Sequence, residues 1–304
     1  MLYDNDRKIL AQNINGYLLN ADNIFIDKHT MPICNVPAIC LGGQPIDDGN
    51  FVLTEEEKNE LIKKEPQAES FIRPFMMGKD FINRCPRYCI WLVNANPALL
   101  KKCPMILERV KKVRDFRLTS NRLNTLKAAE CPTLFGSAFE CESDYIAIPK
   151  VSSENRKYIP IDYLSKEIVP GDKLFTMQNA TLFHFGILTS NVHMAWMRAV
   201  CGRLKSDYSY SNTIVYNNFP WPTPTEAQIA KIEQTAQAIL NARALYPDCS
   251  LADLYDEVAM PPELRKAHQA NDKAVMQAYG FDVKTMTESS CVAELMKMYQ
   301  ELTK

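Results

Sequence analysis

The sequence predicts an α+β chain in two parts: a mixed, β-rich domain with inserted helices over residues 1–221, and a small all-α domain over residues 222–304. Three observations carry that expectation. From Cys131 to Leu188, short apolar runs alternate with Pro, Gly, Asn and Asp, as strands do when turns join them. The segment Phe219-Pro-Trp-Pro-Thr-Pro224 holds three prolines within six residues, which removes backbone donors and marks a boundary. Beyond it, apolar residues recur at helical spacing.

Taken in order, Ile9–Leu19 has helical spacing, and Asn20 to Asn23 breaks it ahead of Ile24-Phe25-Ile26, read as a short strand. Residues 32–50 are rich in Pro, Gly and Asp and read as loop. Thr54-Glu-Glu-Glu57 then has the capping-box pattern that opens a helix to about Glu65. Tyr88-Cys-Ile-Trp-Leu-Val93 is unbroken apolar sequence, suited to a strand buried on both faces. Pro97 to Lys127 reads as one long basic helix. Its apolar side carries Ile106, Val110, Val113, Phe116 and Leu118, and its outer side Lys101, Lys102, Arg109, Lys111, Lys112, Arg114, Arg117 and Arg122.

Strands are expected at Tyr145–Ile148, Lys157–Ile161, Lys173–Met177 and Thr181–Leu188. Ser190 caps a helix from Asn191 to about Leu204, with Val192, Trp196, Met197 and Val200 facing inward and Arg198, Arg203 and Lys205 outside. Further helices are expected over Glu226–Tyr246, Leu251–Tyr255, Pro262–Tyr279 and Glu288–Leu302.

At 304 residues and 46% apolar content the chain can bury one large core or two smaller ones. No run of about 18 uncharged apolar residues occurs, and Asp4, Asp6, Arg7 and Lys8 stand where an export signal would be apolar. A cytoplasmic protein with no membrane partner is therefore expected. The ten cysteines are scattered, as in reduced structural thiols, and the close pairs Cys34 with Cys40 and Cys85 with Cys89 lack a nearby histidine, so no metal site is expected. The net charge of −1 divides unevenly. Lys101 to Lys205 holds 17 Lys and Arg against 10 Asp and Glu, whereas Glu226 to Lys304 holds 8 against 12. The basic middle is the candidate nucleic-acid surface.

Several strings stand in one order along the chain: Ile72-Arg-Pro-Phe75, Tyr88-Cys-Ile-Trp-Leu92, Ser152-Ser-Glu-Asn-Arg-Lys-Tyr-Ile-Pro-Ile161, Asn179-Ala-Thr-Leu-Phe-His-Phe-Gly-Ile187, His193-Met-Ala-Trp196, Arg203-Leu-Lys-Ser-Asp-Tyr-Ser-Tyr-Ser211, Val215-Tyr-Asn-Asn-Phe-Pro-Trp-Pro222, Ser250-Leu-Ala-Asp-Leu-Tyr255 and Met260-Pro-Pro-Glu-Leu264. In this combination nearly the whole chain resembles type IIL restriction-modification enzymes, which fuse a nuclease, an adenine-N6 DNA methyltransferase and a target-recognition domain. The resemblance implies a target-recognition domain up to Trp221, with a short connector from the methyltransferase domain at its start, and then the family's C-terminal helical region. It implies double-stranded DNA and the methyltransferase domain as partners.

The departure from the family is equally informative. An adenine-N6 methyltransferase needs an Asn/Asp-Pro-Pro-aromatic loop against the flipped base, and this sequence has none. Asn218-Phe-Pro-Trp221 has the wrong order, and only Gly42-Gly43 are adjacent glycines, so no glycine-rich turn for S-adenosylmethionine is visible. No catalytic residue and no cofactor are expected in this chain, with S-adenosylmethionine implied for the parent enzyme.

Sequence reading requires side chains at base edges, with cations at phosphates setting register. Asn155, Arg156 and Lys157, on a polar turn before an expected strand, are candidate base readers; contact with phosphate, or a solvated loop, are the other readings. Ser190, Asn191 and His193 sit where a helix N-terminus offers amides to a base edge or anion; the plainer reading is a cap and a packed histidine. Arg203, Lys205, Tyr208, Tyr210 and Ser211 form a candidate phosphate clamp, against the alternative of a core tyrosine pair and an ion pair to Asp207. Lys111, Lys112, Arg114, Arg122 and Arg198 are further phosphate candidates, on helices whose charged faces are otherwise solvated. Phe135 and Phe139 are read as core rather than wedges, and His184 as a satisfied strand histidine. The alternative function is a protein-interaction module docking on a separate methyltransferase or nuclease subunit.

Overall fold

The computed structural model describes residues 2–4, 7–10, 13–17 and 23–304. The chain forms two compact units, one of residues 1–39, 148–162 and 179–304, the other of residues 40–147 and 163–178. The Pro-rich segment at 219–224 is not where these units divide. Residues from both sides of it share the first unit, because helices Glu226–Ala244 and Pro262–Ala278 pack on helices Leu182–Leu188 and Asn191–Val200.

In the second unit a four-stranded sheet runs Val169–Pro170, Ile72–Met76, Arg87–Ile90, Val52–Leu53, antiparallel except for its first pair. Its core holds Phe51, Phe75, Trp91 and Phe135, with Phe135 set edge-on to Trp91 at 5.1 Å between ring centroids. Phe135 is thus core, as expected, and Phe139 is half-buried. Helix Glu55–Lys64 begins at the expected capping box, in which Thr54 Oγ1 accepts from Glu57 N and a Glu57 carboxylate oxygen accepts from Thr54 N.

The long basic helix is three helices, Pro97–Leu100, Pro104–Leu118 and Leu123–Ala128. Pro104 lacks the donor that would continue the first of them and takes the first-turn position of the second, where that donor is not needed. Ile106, Val110 and Val113 face the core, but Phe116 and Leu118 are 39% and 50% exposed. The next inward position is Arg117, read from sequence as an outer cation and in fact fully buried. Its guanidinium donates to the carbonyls of Ile46 at 2.9 Å, Pro45 at 2.8 Å, Leu134 at 2.8 Å and Ala128 at 2.9 Å. One charge thereby satisfies two loop segments that have no ladder of their own.

The first unit holds a three-stranded sheet, Gly202–Leu204, Asp207–Ser209, Val151–Ser152, and the helical bundle. The strands expected at Tyr145–Ile148 and Lys173–Met177 are found at Tyr145–Pro149, which runs from the second unit into the first, and at Leu174–Gln178 of the second unit. Lys157 to Ile161 is not a strand, and Thr181 to Leu188 is a helix, Leu182–Leu188. Phe185 to Leu188 are all buried, so the helix shows no polar face by which to recognise it. Gly186 explains the close fit, since a Cβ there would lie 2.6 Å from Ile232 on helix Glu226–Ala244. His184 accordingly caps a helix, its Nδ1 accepting from Thr181 N at 3.1 Å.

The expected N-terminal helix is absent where the residues are described. Arg7–Ile9 pairs antiparallel with Leu2–Asp4, and Tyr17 N donates to the Asn15 side chain in a turn, an alternative that Asn offers the backbone. Residues 11–12 and 18–19 of that helix lie outside the described residues. Ile24-Phe25-Ile26 is not paired into a sheet. Instead the segment after it is held by the asparagines of Val215-Tyr-Asn-Asn218. Asn217 Nδ2 donates to His29 O at 2.8 Å, and Asn218 Nδ2 to Asp27 O at 2.9 Å.

Among the described residues no helix is long and apolar enough to cross a membrane.

Replacing Arg117 by Met keeps the apolar length but removes the guanidinium from the carbonyls of Ile46, Ala128 and Leu134, while Pro45 O keeps Gly136 N. Urea unfolding is expected to show a loss of at least about 3 kcal/mol. A change below about 0.5 kcal/mol, as at an ordinary surface position, contradicts the hub.

Candidate nucleic-acid interface

The polar turn follows directly from the small sheet of the first unit. Strand Val151–Ser152 pairs with Asp207–Ser209 in the register Tyr208↔Ser152, and Asp207–Ser209 pairs with Gly202–Leu204 in the register Arg203↔Tyr208. The turn residues 153–157 and the hairpin tip at 205–206 therefore come from one sheet. Arg156 N donates to Ser153 O at 3.2 Å and Asn155 N to Ser153 Oγ at 3.3 Å, closing the turn. Asn155 and Lys157 are exposed and Arg156 is half-buried. Burial pushes the Arg156 pKa down, against the opposing pull of Asp207 and Asp256.

Lys205, at the hairpin tip, is exposed with φ +57°, a left-handed conformation that a lysine adopts at a cost. Arg203 braces the tip. Its guanidinium donates to Ser206 O at 2.9 Å, lies 4.2 Å from the centroid of the Tyr208 ring and reaches Glu154 of the turn at 3.7 Å. A cleft of about 450 Å³ opens beside the turn, lined by Asn155, Arg156, Lys157, Arg198, Asp256 and Arg265. Arg198 is already engaged, its Nε and Nη2 donating to the two Glu288 oxygens at 2.7 and 3.0 Å.

The helix N-terminus at 190–193 is not an open site. Ser190 is fully buried, its Oγ donating to Ile187 O and accepting from His193 N. The amide of Asn191, expected to be available, donates to Asp272 Oδ1 at 2.8 Å, so a carboxylate from within the fold already fills the anion position. Asn191 is half-buried, its Nδ2 3.6 Å from the Met276 sulfur. His193 is fully buried against Phe219, with Nε2 3.0 Å from Tyr210 Oη.

The clamp is likewise reduced. Tyr208 and Tyr210 are 6% and 2% exposed, and Ser211 Oγ accepts from Ile214 N to cap a single wide turn over Asn212–Tyr216. Arg203 and Lys205 remain at the surface. In the second unit, Lys111, Lys112 and Arg114 are exposed along helix Pro104–Leu118, with Lys112 paired to Glu108 at 2.9 Å, and Arg122 is exposed at the start of the next helix.

Sequence reasoning missed Asp272 and Tyr158, which lie under the turn. A signal was present: Leu264, Ala267, His268, Asn271, Asp272 and Val275 occupy the buried stripe of helix Pro262–Ala278, so its three polar members stand at core spacing. The motif Asn218-Phe-Pro-Trp221 is likewise structural, with Asn218 fully buried and its amide nitrogen given to the carbonyls of Asp27, Thr213 and Ile214.

Two family descriptions match the chain: "MmeI, target recognition domain" over residues 20–223 and "MmeI, C-terminal domain" over residues 224–304. DNA methyltransferase A of Bacillus subtilis (strain 168) is 34% identical over 302 residues, covering 99% of this chain and 34% of that protein. Among solved structures, the Type IIL restriction-modification enzyme MmeI in complex with DNA superposes with a TM-score of 0.93 at 43% identity, over 97% of this chain and 39% of that one. The chain thus spans a little over a third of the length of these relatives.

The buried His193 has its own test. Burial pushes its imidazole down to about 4, whereas an unfolded histidine titrates near 6.5. Between those values the unfolded state binds more protons, so stability is lost as pH falls from about 6.5 toward 4. Between pH 7 and 5 this amounts to about 2 kcal/mol. The thermal midpoint of the native chain is expected to fall more steeply over that range than that of His193→Gln; equal slopes contradict the assignment.

Proposed function

Because this chain belongs to the MmeI family, through both its target recognition domain and its C-terminal domain, we propose that it is the sequence-reading part of a restriction-modification adenine-N6 DNA methyltransferase. It would hold double-stranded DNA for a methyltransferase domain outside this chain. The observation that supports this reading most is the likeness to MmeI, described in complex with DNA, over 97% of the chain at 43% identity. The functional division we propose remains 1–221 for reading and 222–304 for the helical region, although residues 148–162 and 179–221 share a compact unit with the helical region.

Within that reading the base contacts belong to the turn Asn155, Arg156 and Lys157, which offers an amide, a guanidinium able to pair bidentately with guanine, and an ammonium. Lys205 at the hairpin tip, with Arg203 behind it, holds backbone phosphates, and Lys111, Lys112, Arg114 and Arg122 extend the cationic surface in the second unit. Ser190, His193 and Tyr210 leave the list, since their polar side-chain atoms bond within the fold, and Tyr208 leaves it as a buried ring under Arg203.

Methyl transfer from S-adenosylmethionine is assigned to the remainder of such an enzyme. The residues here do not fit that cofactor. The adjacent glycines Gly42 and Gly43 pack against backbone, and a Cβ on Gly42 would lie 2.4 Å from the carbonyl oxygen of Gly171. They close the fold instead of framing an adenosine loop.

The test is selection from a random duplex pool. The chain is expected to enrich a short motif, and Asn155→Ala or Arg156→Ala to relax it at one position by about 5- to 150-fold. Replacing Lys111, Lys112 and Arg114 together by Ala is expected to lower affinity for all sequences alike and to reduce the slope of log K on log salt by about two to three. Retention of no duplex at low salt contradicts the reading and favours docking on a separate methyltransferase or nuclease subunit.

A further inference from the structure

The reading turn has little structure of its own, and its downstream end is fixed from the helical region. Residues 157–161 form no strand ladder. Tyr158 is nonetheless 1% exposed, with its hydroxyl donating to Asp272 Oδ2 at 2.6 Å. Its ring stacks on His268 at 4.1 Å between centroids, 18° from parallel. The other Asp272 oxygen accepts from Asn191 N, so one buried carboxylate from helix Pro262–Ala278 joins the turn to the start of helix Asn191–Val200.

A second tie lies three residues on. Arg243, from helix Glu226–Ala244, donates to Ile161 O at 2.8 Å and lies 3.4 Å from an Asp162 carboxylate oxygen. It also donates to Tyr255 Oη, which in turn lies 2.8 Å from His268 Nε2. Tyr158 and Ile161 are therefore held by two hydrogen-bonded groups joined through the stack of Tyr158 on His268, and Arg243, Tyr255, His268 and Asp272 of the helical region make the ties. In a low-dielectric interior such contacts are stronger than in water, and they hold the backbone they touch.

We propose that Asp272 is a positioning residue for sequence reading: through Tyr158 it sets the backbone on which Asn155, Arg156 and Lys157 are presented. This gives the helical region a part in specificity without contact with DNA, and it rests on the reading of the turn as a DNA-facing element. Asp272 touches no base and adds no cation, so its loss changes which sequences are preferred and leaves the phosphate term alone.

The experiment pairs amide hydrogen exchange with pool selection on the full chain and its Tyr158→Phe and Asp272→Asn variants. Tyr158→Phe keeps the ring stack on His268 and removes one hydroxyl, so it answers the question even where Asp272→Asn does not fold. Exchange at 155–158 is expected to quicken about tenfold or more, while helix Pro104–Leu118 keeps its native rates. Preference for the enriched motif is expected to fall by about tenfold with the salt slope unchanged. Unchanged exchange at 155–158 in Tyr158→Phe overturns the proposal, as does quickened exchange with undiminished motif preference. A native chain that enriches no motif instead counts against the functional reading, and the exchange rates then decide the positioning by themselves.

Discussion

Peptide groups buried outside helices and sheets must still find partners, and each one left unmet costs about 1 to 3 kcal/mol. Much of this chain is of that kind. In the second unit the loops at 45–46 and 128–134 converge on the Arg117 guanidinium. In the first, the segment from Asp27 to Ile33 is held by Asn217 and Asn218, and Tyr158 to Asp162 by Asp272 and Arg243. The regular elements supply the apolar core, but these few polar side chains determine where the irregular segments lie.

That constraint separates what the sequence made legible from what it did not. Thr54 and Glu57 announce their helix because a capping box is local. Tyr145–Pro149 and Glu226–Ala244 have periodicities that fit one state. Thr181–Leu188 reads as a strand in sequence because the consecutive burial of Phe185 to Leu188 leaves this helix without a polar stripe. Arg117 was placed outside because charge argues for solvent, and only its carbonyl partners, up to 72 residues away in sequence, argue otherwise. The candidate site divides in the same way. Asn155, Lys157 and Lys205 are exposed, whereas Ser190, His193, Tyr208 and Tyr210 are buried, the alternative that the cap position and the tyrosine spacing also allow.

The resulting division of labour is chemical. Flexible cations and amides stand on a turn and a hairpin tip of one small sheet, and the groups that fix that sheet are buried, neutral or already paired. The anion position at Asn191 is filled from inside by Asp272, so the helix N-terminus stabilises the fold. A surface arranged in this way can change its exposed side chains at little cost to the core. The helices after the Pro-rich segment belong to the same compact unit and carry five of its twelve buried polar residues among those described, Thr235, Arg243, His268, Asn271 and Asp272.

In the proposed function the turn and hairpin of the first unit face duplex DNA. The most direct test of that placement is the acylation rate of individual lysines in the full chain, with and without saturating duplex at low salt. Lys157 and Lys205 are expected to be protected, with Lys63, Lys64 and Lys297 reacting at their free rates. Equal protection of all five, or protection confined to the last three, would contradict it.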